Sequence, residues 1–477
     1  MRHRVLIVIA AALVASCGRP PATDPGMVSA WVRTWYGAIR AERLSPPVAS
    51  RLMAYSSTAL YAGLAATRPT LTPLTGALNG LAELPRAQRP NDYDETITAV
   101  EAERVVMDSL FAEGLPTTRA SVARLADSLM LARVATGVKG AVRARSEALG
   151  REIGIAIVAW SRTDGFDGTR GRHYKAPVGP GLWINDTPAS LYTSQSSSAA
   201  SQSVTLDNPA NQLRPGSSSD RALILSRSKP STVRSLPSVN MAGATEPYWR
   251  EIRPFVLASW EACAVPAPSE FSTAPSSDLL QNAMAVRDTR TTLTDEQRTI
   301  ALYWADNAGE SGTPVGHWLS IASQMIGERG LESGAAARLV LATAIAQADA
   351  FIAAWGYKYQ YNLIRPRTYI RRVIDPAWEP LIPTPPFPEH PAGHSTQSAA
   401  AAAVLTAMLG ATAFDDSTSV TLGHAVRHFT DFGAAADEAG LSRVYGGIHF
   451  PSGDLAGRAL GGCIGAKVVE RFPVAAR

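Results

Sequence analysis

The sequence predicts an all-α protein, a multi-helix bundle with a long Ser-rich loop insertion. Apolar residues recur mostly at spacings of three and four, as at Trp31, Trp35 and Ile39, which is the period of an amphipathic helix. The alternating pattern of half-buried strands is almost absent. Ala-rich apolar runs, above all residues 333–355, indicate central helices whose small side chains let neighbouring helices approach closely.

The composition is that of a protein with a large core and a balanced surface charge. Of the 477 residues, 46% are hydrophobic, and 45 basic residues oppose 41 acidic ones, for a formal net charge of +4. No basic run with interleaved aromatic residues is present. Both observations argue against a nucleic-acid partner.

The N-terminus has the pattern of an export signal. Basic residues precede an apolar stretch at residues 5–14, which is too short to span a membrane, and Cys17 follows small residues. We expect a lipoprotein signal peptide at residues 1–16, lipid attached to Cys17 and a tether at residues 17–26. An ordinary signal peptide with an incidental Cys is the alternative. The lipoprotein would be exported and held in the bacterial cell envelope by its lipid anchor alone, on the periplasmic side of the outer membrane.

The mature chain divides into two helical parts around a polar segment. Residues 27–186 and 246–477 carry helical periodicity and are expected to form one compact unit. Residues 187–245 are rich in Ser, Asn and Pro and bury too little apolar surface to order easily, so we interpret them as an insertion. Cys263 and Cys463 either pair or remain buried free thiols.

The second helical part contains the clearest helix signals. Thr294 and Gln297 have the spacing of a capping box and predict a helix through residue 307. Further helices are predicted at 313–325, 333–355 with an extension towards 358, 397–409, 420–436 and 453–472.

Three short polar segments stand out from this apolar background. They are Lys358 to Pro366, Pro391 to Thr396, and Ser442 to His449 with Asp454 after it. Together they offer three fixed cations, two histidines, a Gly-His turn at a helix start and one carboxylate. That inventory suits the binding of a tetrahedral oxyanion.

Lys358 and Arg365 are seven residues apart, which is close to two helical turns. We expect both to project from one helix face, with Asn362 between them, and Pro366 to end that helix. Two solvated surface cations are the alternative. The apolar helix that leads into Lys358 argues against it.

Gly393 and His394 precede an apolar helical run. Free N–H groups at a helix start attract anions, and a glycine lets the backbone come close to a ligand. His394 would then lie at the mouth of an anion site. Plain N-capping explains Ser395 and Thr396 equally well, and an ordinary loop histidine is the alternative for His394.

Arg443 and His449 flank a Gly-Gly turn and can converge on one point. We expect Asp454 to orient the His449 ring through its other nitrogen. A surface loop is the alternative. His424 and His428 have the i,i+4 spacing of a helical metal site, but no third ligand is evident at a suitable spacing. His173, His317 and His390 are left without a role.

These residues carry a family resemblance. Three motifs, taken in order, resemble the three-part signature of the superfamily of type-2 phosphatidic acid phosphatases and vanadium-dependent haloperoxidases. They are Lys358-x6-Arg365-Pro366, Pro391-Ala392-Gly393-His394 and Ser442-Arg443-x5-His449. Segments at 249–255, 303–306, 312–314 and 385–388 are similar to the haloperoxidase branch. The resemblance covers most of the mature chain.

The resemblance implies roles for individual residues. The oxygens of the anion would be bound by Lys358, Arg365, Arg443 and the Gly393 backbone N–H. Lys358 would also take part in catalysis. His449 would coordinate vanadium in a peroxidase or attack phosphorus in a phosphatase, and His394 would be the acid–base group.

Two further residues receive supporting roles from the same resemblance. Phe387 falls where chloroperoxidase-like members carry an aromatic residue beside the vanadate. Asp306 matches an acidic residue that supports the arginines. Helical members of the superfamily are often homodimers, so a homodimer is also implied.

Two positions depart from the family pattern. Ala392 replaces the usual serine and removes one hydroxyl from the anion site, which would cost ~1.5–3 kcal/mol of anion affinity unless Ser395 replaces it. The supporting Asp usually falls four residues after the histidine, whereas Asp454 falls five after His449.

The resemblance favours a vanadium-dependent haloperoxidase-like enzyme that uses vanadate, hydrogen peroxide and a halide. The alternative in the same pocket is an acid phosphatase that hydrolyses a phosphomonoester through a phosphohistidine and needs no cofactor. A third hypothesis, from another class, is an inactive anion-binding surface lipoprotein. Tight anion binding without turnover would identify that third case.

Overall fold

The structure, a computed structural model, describes residues 22–186 and 243–472. The predicted signal peptide with Cys17, and nearly all of the 187–245 insertion, lie outside these residues. The described chain is mostly helical, as predicted, with one two-stranded antiparallel sheet.

The N-terminal part is a group of packed helices. Their bounds are α1 Gly26–Ala41, α2 Pro46–Ala65, α3 Glu95–Leu110, α4 Pro116–Ala135, α5 Gly140–Ser161 and the single turn α6 Phe166–Thr169. α3 lies between α2, α4 and α5. α2 is buried on nearly its whole length because it also packs against the central helix of the second part.

The C-terminal part carries the remaining elements. Their bounds are α7 Asp278–Thr292, α8 Asp295–Tyr303, α9 Thr313–Glu328, α10 Ser333–Tyr361, α11 Pro366–Val373, α12 Gly393–Leu409, β1 Phe414–Asp416, β2 Arg427–Phe429, α13 Phe432–Tyr445 and α14 Pro451–Arg471. Short 3₁₀ turns occur at Pro90–Asp92, Trp249–Glu251 and Val420–Leu422. α10 contacts α1, α2, α9, α12 and α14, so it is the centre of the molecule.

α10 has the length and apolar composition of a membrane span, but its apolar stretch is entirely buried inside the fold. Its small residues allow this, because Ala336, Ala342 and Ala346 leave room for neighbouring helices. Burial on all sides is what an all-round apolar helix requires in a globular core. α10 is therefore the core helix that the Ala-rich run predicted.

α12 and α14 pack closely through a line of glycines. Gly457, Gly461 and Gly465 are spaced by four on α14, and a Cβ on any of them would meet a backbone oxygen of α12 or of its N-cap residue at 2.1–2.8 Å. The two helices can therefore approach only because side chains are absent on this face. This contact brings the N-terminus of α12 next to the first turn of α14, where two of the three polar segments meet.

Several predicted bounds need correction. The Thr294 capping box is confirmed, but α8 ends at Tyr303 because Asp306 adopts a positive φ of 46°. α10 extends beyond 358 to Tyr361. It ends there because Asn362 takes a left-handed conformation.

The predicted helix at 420–436 is wrong. Residues 414–429 form a β-hairpin in which Phe414 pairs with Phe429, and the helix starts only at Phe432. The rings of Phe414 and Phe432 stack at 4.9 Å, so aromatic packing outweighs the helical period of this segment. His424 and His428 accordingly lie on a loop and on β2, not on one helix face.

The cysteine question is resolved by a disulfide. Cys263 and Cys463 are bonded, which ties the segment before α7 to the last helix across 200 residues of sequence.

Candidate active site

The polar segments predicted from the sequence converge at one end of α10. Lys358 lies in the last turn of α10, and Gly393 and His394 open α12. Arg443 lies near the end of α13, and His449 lies in the short connection to α14. Four elements far apart in sequence therefore meet around one buried polar space.

Arg365 reaches this site by a different route from the one predicted. It is not on the helix of Lys358. It is the residue before α11, which begins with Pro366 at its first position. Proline is well suited to the first turn of a helix, so Pro366 starts a helix here rather than ending one. Asn362 is turned away and accepts a hydrogen bond from Tyr174.

Lys358 is fully buried and its ammonium group faces backbone carbonyls. Nζ donates to the oxygens of Pro388, Glu389 and Pro391 at 3.1, 2.8 and 2.5 Å. Burial and the nearby charge of Arg365 lower the pKa of Lys358 well below its usual value, although the Glu389 carboxylate opposes this. The ammonium group can contact an anion directly only if it exchanges one of these carbonyls.

Arg365 is fully buried beside His449. Its Nε donates to the Phe387 carbonyl at 2.8 Å, and its Nη1 donates to the Ile448 carbonyl at 2.8 Å and lies 3.1 Å from His449 Nε2. The guanidinium is therefore held in one orientation by backbone oxygens on two sides.

Arg443 is held from another direction. Its Nη1 donates to the carbonyl of Trp304 at 2.7 Å, while its buried Nε has no hydrogen-bond partner. Burial lowers the pKa of Arg443 to about 10, in spite of the nearby carboxylate of Asp306. An unpartnered buried N–H on a cation is costly, and a bound anion would satisfy it.

The carboxylate that orients His449 is Glu389, and the prediction of Asp454 for this role is wrong. His449 Nδ1 lies 2.8 Å from Glu389 Oε1, which also accepts the backbone N–H of Phe450 at 3.0 Å. Asp454 instead accepts from Ser395 at 2.6 Å and pairs with Arg458 at 2.6 Å. Asp454 lies in the first turn of α14, one turn from Arg458, and this pairing holds it away from the His449 ring.

One feature of the sequence indicates a role for Glu389. It is a single acidic residue in an apolar, Pro-rich run directly before the Gly-His segment. It is fully buried, and burial raises its pKa to about 7, against the charges of Lys358 and Arg365. Gly453 makes room for it, since a Cβ there would lie 2.3 Å from Glu389 Oε1.

His449 is neutral in this environment. Burial, followed by the charges of Arg365, Lys358 and Arg443, holds the pKa of His449 well below its usual value. With Nδ1–H donating a hydrogen bond to Glu389, Nε2 carries the lone pair and faces the cations. This is the tautomer that a histidine needs in order to act as a ligand or a nucleophile through Nε2.

His394 lies at the start of α12 with one nitrogen available. Its Nε2 is buried without a partner, while the Trp304 backbone raises the pKa of the ring. Burial and the charges of Arg443, His317 and Lys358 hold its pKa well below the usual value. A neutral ring with an unpartnered nitrogen can accept a proton from a bound substrate.

The remaining predicted residues occupy defined places around the site. Phe387 packs over two of the cations, with its ring centroid 5.2 Å from Lys358 Nζ and 4.8 Å from Arg365 Cζ. Asp306 bonds to His317 at 3.0 Å rather than to an arginine, although its charge acts on Arg443. Ser395 cannot replace the hydroxyl missing at Ala392, because it donates to Asp454.

The geometry fits a tetrahedral oxyanion. The unpartnered groups at the centre are the Nε of Arg443 and the Nε2 of His394. A Cβ at Gly393 would lie 3.2 Å from the Trp355 ring and 3.8 Å from Lys358 Cε, so a side chain at residue 393 would crowd the Trp355 ring. In the described part of the chain, no group of three or more His, Cys, Asp or Glu side chains could hold a metal ion.

Comparison with known proteins agrees with this site. A family model described as the VCPO second helical-bundle domain matches residues 338–475, which contain all three polar segments. A search of curated proteins found no match.

Solved structures match over nearly the whole chain. One, described as the first bacterial vanadium-dependent iodoperoxidase, is 30% identical with a TM-score of 0.77, and the match covers 95% of this chain and 97% of that one. Holo and apo forms of a bacterial vanadium-dependent chloroperoxidase are 17% and 15% identical, with TM-scores of 0.60 and 0.59. The match to the holo form covers 90% of this chain and 93% of the chloroperoxidase chain. The match to the apo form covers 92% of this chain and 97% of the chloroperoxidase chain. The chloroperoxidases share the fold, and the identity to the iodoperoxidase over the full length shows that this chain belongs to the vanadium-dependent haloperoxidase family, within the superfamily that includes type-2 phosphatidic acid phosphatases.

Proposed function

We propose that this protein is a vanadium-dependent haloperoxidase that uses hydrogen peroxide to oxidise a halide. The observation that carries the proposal is His449, held by Glu389 with its Nε2 lone pair turned towards Arg365. The full-length likeness to an iodoperoxidase supports oxidation over phosphate transfer.

His449 would hold vanadate through Nε2, with Arg365, Arg443 and the Gly393 N–H around its oxygens. Three buried cations surround the site, and the carboxylates that act on them are Glu389 and Asp306, so the cations outnumber the carboxylates and favour a bound anion. When bound, vanadate would supply Lewis-acid activation of peroxide towards attack by halide. Preorganised cations in a water-poor pocket stabilise charge on oxygen strongly because no reorganisation is needed.

His394 would accept the proton that peroxide loses on binding. Its lowered pKa keeps it neutral near pH 7, and its Nε2 has no competing partner. Lys358 would contribute positive charge beside the reacting oxygens. Phe387 covers Lys358 and Arg365 and limits access of water to both.

We also propose that the protein is exported and lipid-anchored through Cys17. The disulfide between Cys263 and Cys463 supports an oxidising compartment, because such bonds persist mainly outside the cytosol.

The test is an activity assay on the purified protein with and without added orthovanadate. One reaction supplies peroxide with iodide or bromide, and the other supplies a generic phosphomonoester. We expect vanadate-dependent halide oxidation that is lost in His449→Ala. Phosphate release that vanadate inhibits would assign the phosphatase reaction instead. Anion binding without turnover in either assay would indicate a binding protein.

A further inference from the structure

A second buried cluster lies next to the site and has no role in the proposed reaction. His317, on α9, is completely buried between two carboxylates. Its Nδ1 lies 3.0 Å from Asp306 Oδ2, and its Nε2 lies 2.8 Å from Asp416 Oδ2. Both ring nitrogens therefore face an acceptor, which is the arrangement of a protonated imidazole.

This cluster touches the site through Trp304. The indole ring of Trp304 stacks on the His317 ring, with centroids 4.3 Å apart and planes 14° apart. The backbone carbonyl of the same residue accepts from Arg443 Nη1 at 2.7 Å, and the Trp304 backbone also favours the protonated form of His394, which raises the pKa of that ring. One residue thus joins the His317 cluster to two groups of the site.

The segment that carries Trp304 is held in a conformation that it would not adopt alone. Asp306 and Thr313 have φ angles of +46° and +58°, in the left-handed region that side-chain-bearing residues rarely adopt. Such strain persists where surrounding contacts over-determine the backbone, and it is concentrated at functional sites. The contacts that fix this segment include the hydrogen bond between His317 Nδ1 and the Asp306 carboxylate, and the hydrogen bond that the Thr313 N–H donates to Ser311 Oγ at 3.0 Å.

We propose that His317, clamped by Asp306 and Asp416, is a positioning residue for the reaction. It fixes the carbonyl of Trp304, and through it the side chains of Arg443 and His394. The inference rests on the proposed function and deepens it, because it assigns the support of the anion-binding arginine and of the proton acceptor to three further residues. These are His317 on α9, Asp416 on β1 and Asp306 between α8 and α9.

The test compares two adjacent carboxylates of strand β1. Asp416 is fully buried against His317, whereas Asp415 is largely exposed and pairs with the exposed His428. Asp416→Asn removes one side of the clamp without altering any residue of the site. Asp415→Asn makes the same chemical change one position away and serves as the control.

Two kinds of measurement would be made on each variant. Calorimetry gives the Kd for orthovanadate and the Kd for inorganic phosphate, and steady-state kinetics gives kcat and the separate KM values for peroxide and iodide. We expect Asp416→Asn to weaken both anions and to lower kcat by about tenfold, as for other supporting partners of bound groups. The KM for iodide should remain unchanged. Asp415→Asn should match the wild type in every measurement.

A merely structural role would lower the melting temperature of Asp416→Asn and leave both anion affinities and kcat unchanged, and that result would overturn the inference. If Asp416→Asn does not fold, His317→Gln gives the same comparison, because its amide can bond only one of the two carboxylates. Trp304→Phe keeps the backbone carbonyl and an aromatic ring that can stack on His317. This variant should therefore retain its affinity for both anions, and a loss of that affinity would count against the proposal.

Failure of the proposed function would look different. A wild-type protein that binds phosphate but does not oxidise halide would remove the haloperoxidase assignment. The phosphate affinities of Asp416→Asn and Asp415→Asn would still decide whether the clamp positions the site.

Discussion

At the scale of single residues, the site depends on how His449 is held. Glu389 fixes the ring from one side and Arg365 lies against it on the other, so that Nε2 presents a lone pair to the cations. Neither partner is close to His449 in sequence. A nearby carboxylate, Asp454, instead stabilises the packing of α14 against the start of α12 through Ser395.

Glu389→Gln should weaken vanadate binding by about 10–100-fold, because the amide replaces a charge-assisted acceptor behind a ligand histidine. Halide oxidation should fall by a similar factor at low vanadate. Calorimetric titration with orthovanadate measures the change directly. Asp454→Asn is the matched control and should lower thermal stability with little change in vanadate affinity. The reverse pattern would restore Asp454 as the residue that orients His449.

Ala392→Ser should improve the site. Ala392 is the N-cap of α12 and makes no side-chain cap. A serine hydroxyl can accept a backbone N–H of the helix while donating its own proton to an anion. We expect ~1 kcal/mol of added stability from the cap and about tenfold tighter vanadate binding from the added hydrogen bond. Chemical denaturation and vanadate titration measure the two effects separately, and weaker vanadate binding would show that this position does not face the anion.

The residue scale also shows what the sequence could predict. The sequence predicts that six residues form one group, and the structure brings them together: Lys358, Arg365, Gly393, His394, Arg443 and His449. Their individual roles remain predictions. The roles of Glu389 and His317 were not predicted, because their partners are distant in sequence. Glu389 lies 60 residues from its partner His449, and His317 lies 11 and 99 residues from its two carboxylate partners. Such partners follow no local period, so only the fold reveals them.

At the scale of elements, the site is placed by the contact between α12 and α14. The glycines of α14 that face α12 allow the two backbones to approach, and Gly453, one turn earlier, leaves room for Glu389. The anion-binding start of α12 is therefore positioned by residues that have no side chains. Helix packing and site geometry are coupled through this face.

Gly461→Ala and Gly462→Ala form a matched pair that tests this packing. A Cβ at Gly461 would lie 2.1 Å from the Thr396 carbonyl oxygen, whereas a Cβ at Gly462 would meet no atom within 4 Å. We expect Gly461→Ala to destabilise the protein by about 1–3 kcal/mol through overpacking. Gly462→Ala should stabilise it by about 0.5–1 kcal/mol through helix propensity. Urea unfolding of both variants measures the difference, and equal stabilities would contradict close packing here.

Element prediction succeeded where local patterns act alone and failed where tertiary contacts decide. The Thr294 capping box and the Ala-rich α10 are confirmed because their signals are local. The helix predicted at 420–436 is wrong because Phe414, Phe429 and Phe432 pack together and draw the segment into a hairpin. Pro366 was assigned to a helix end, although it also suits a helix start, and the sequence alone does not distinguish the two.

At the scale of the whole molecule, a buried charge cluster links stability to pH. Burial opposes the charged form of His317, but Asp306 and Asp416 outweigh this and raise the pKa of His317 to about 10. In the unfolded chain the same group titrates near 6.5. The stabilisation from His317 is therefore complete below about pH 6.5 and is lost as the pH rises through about 10.

The stability difference between the wild type and His317→Gln should decline by about 1.4 kcal/mol per pH unit between pH 7 and pH 9. Urea unfolding at pH 7, 8 and 9 measures this slope, and taking the difference cancels the titration of groups that do not contact His317. A difference that stays constant over this range would show that His317 is neutral in the folded protein.

The central claim is that the pocket binds an oxyanion through His449 Nε2. The most direct measurement is vanadium X-ray absorption on the vanadate-loaded protein, compared with His449→Ala under the same conditions. We predict one nitrogen ligand to vanadium in the wild type and its loss, with most of the binding, in the variant. Bound vanadate with only oxygen neighbours, unchanged by His449→Ala, would contradict the account.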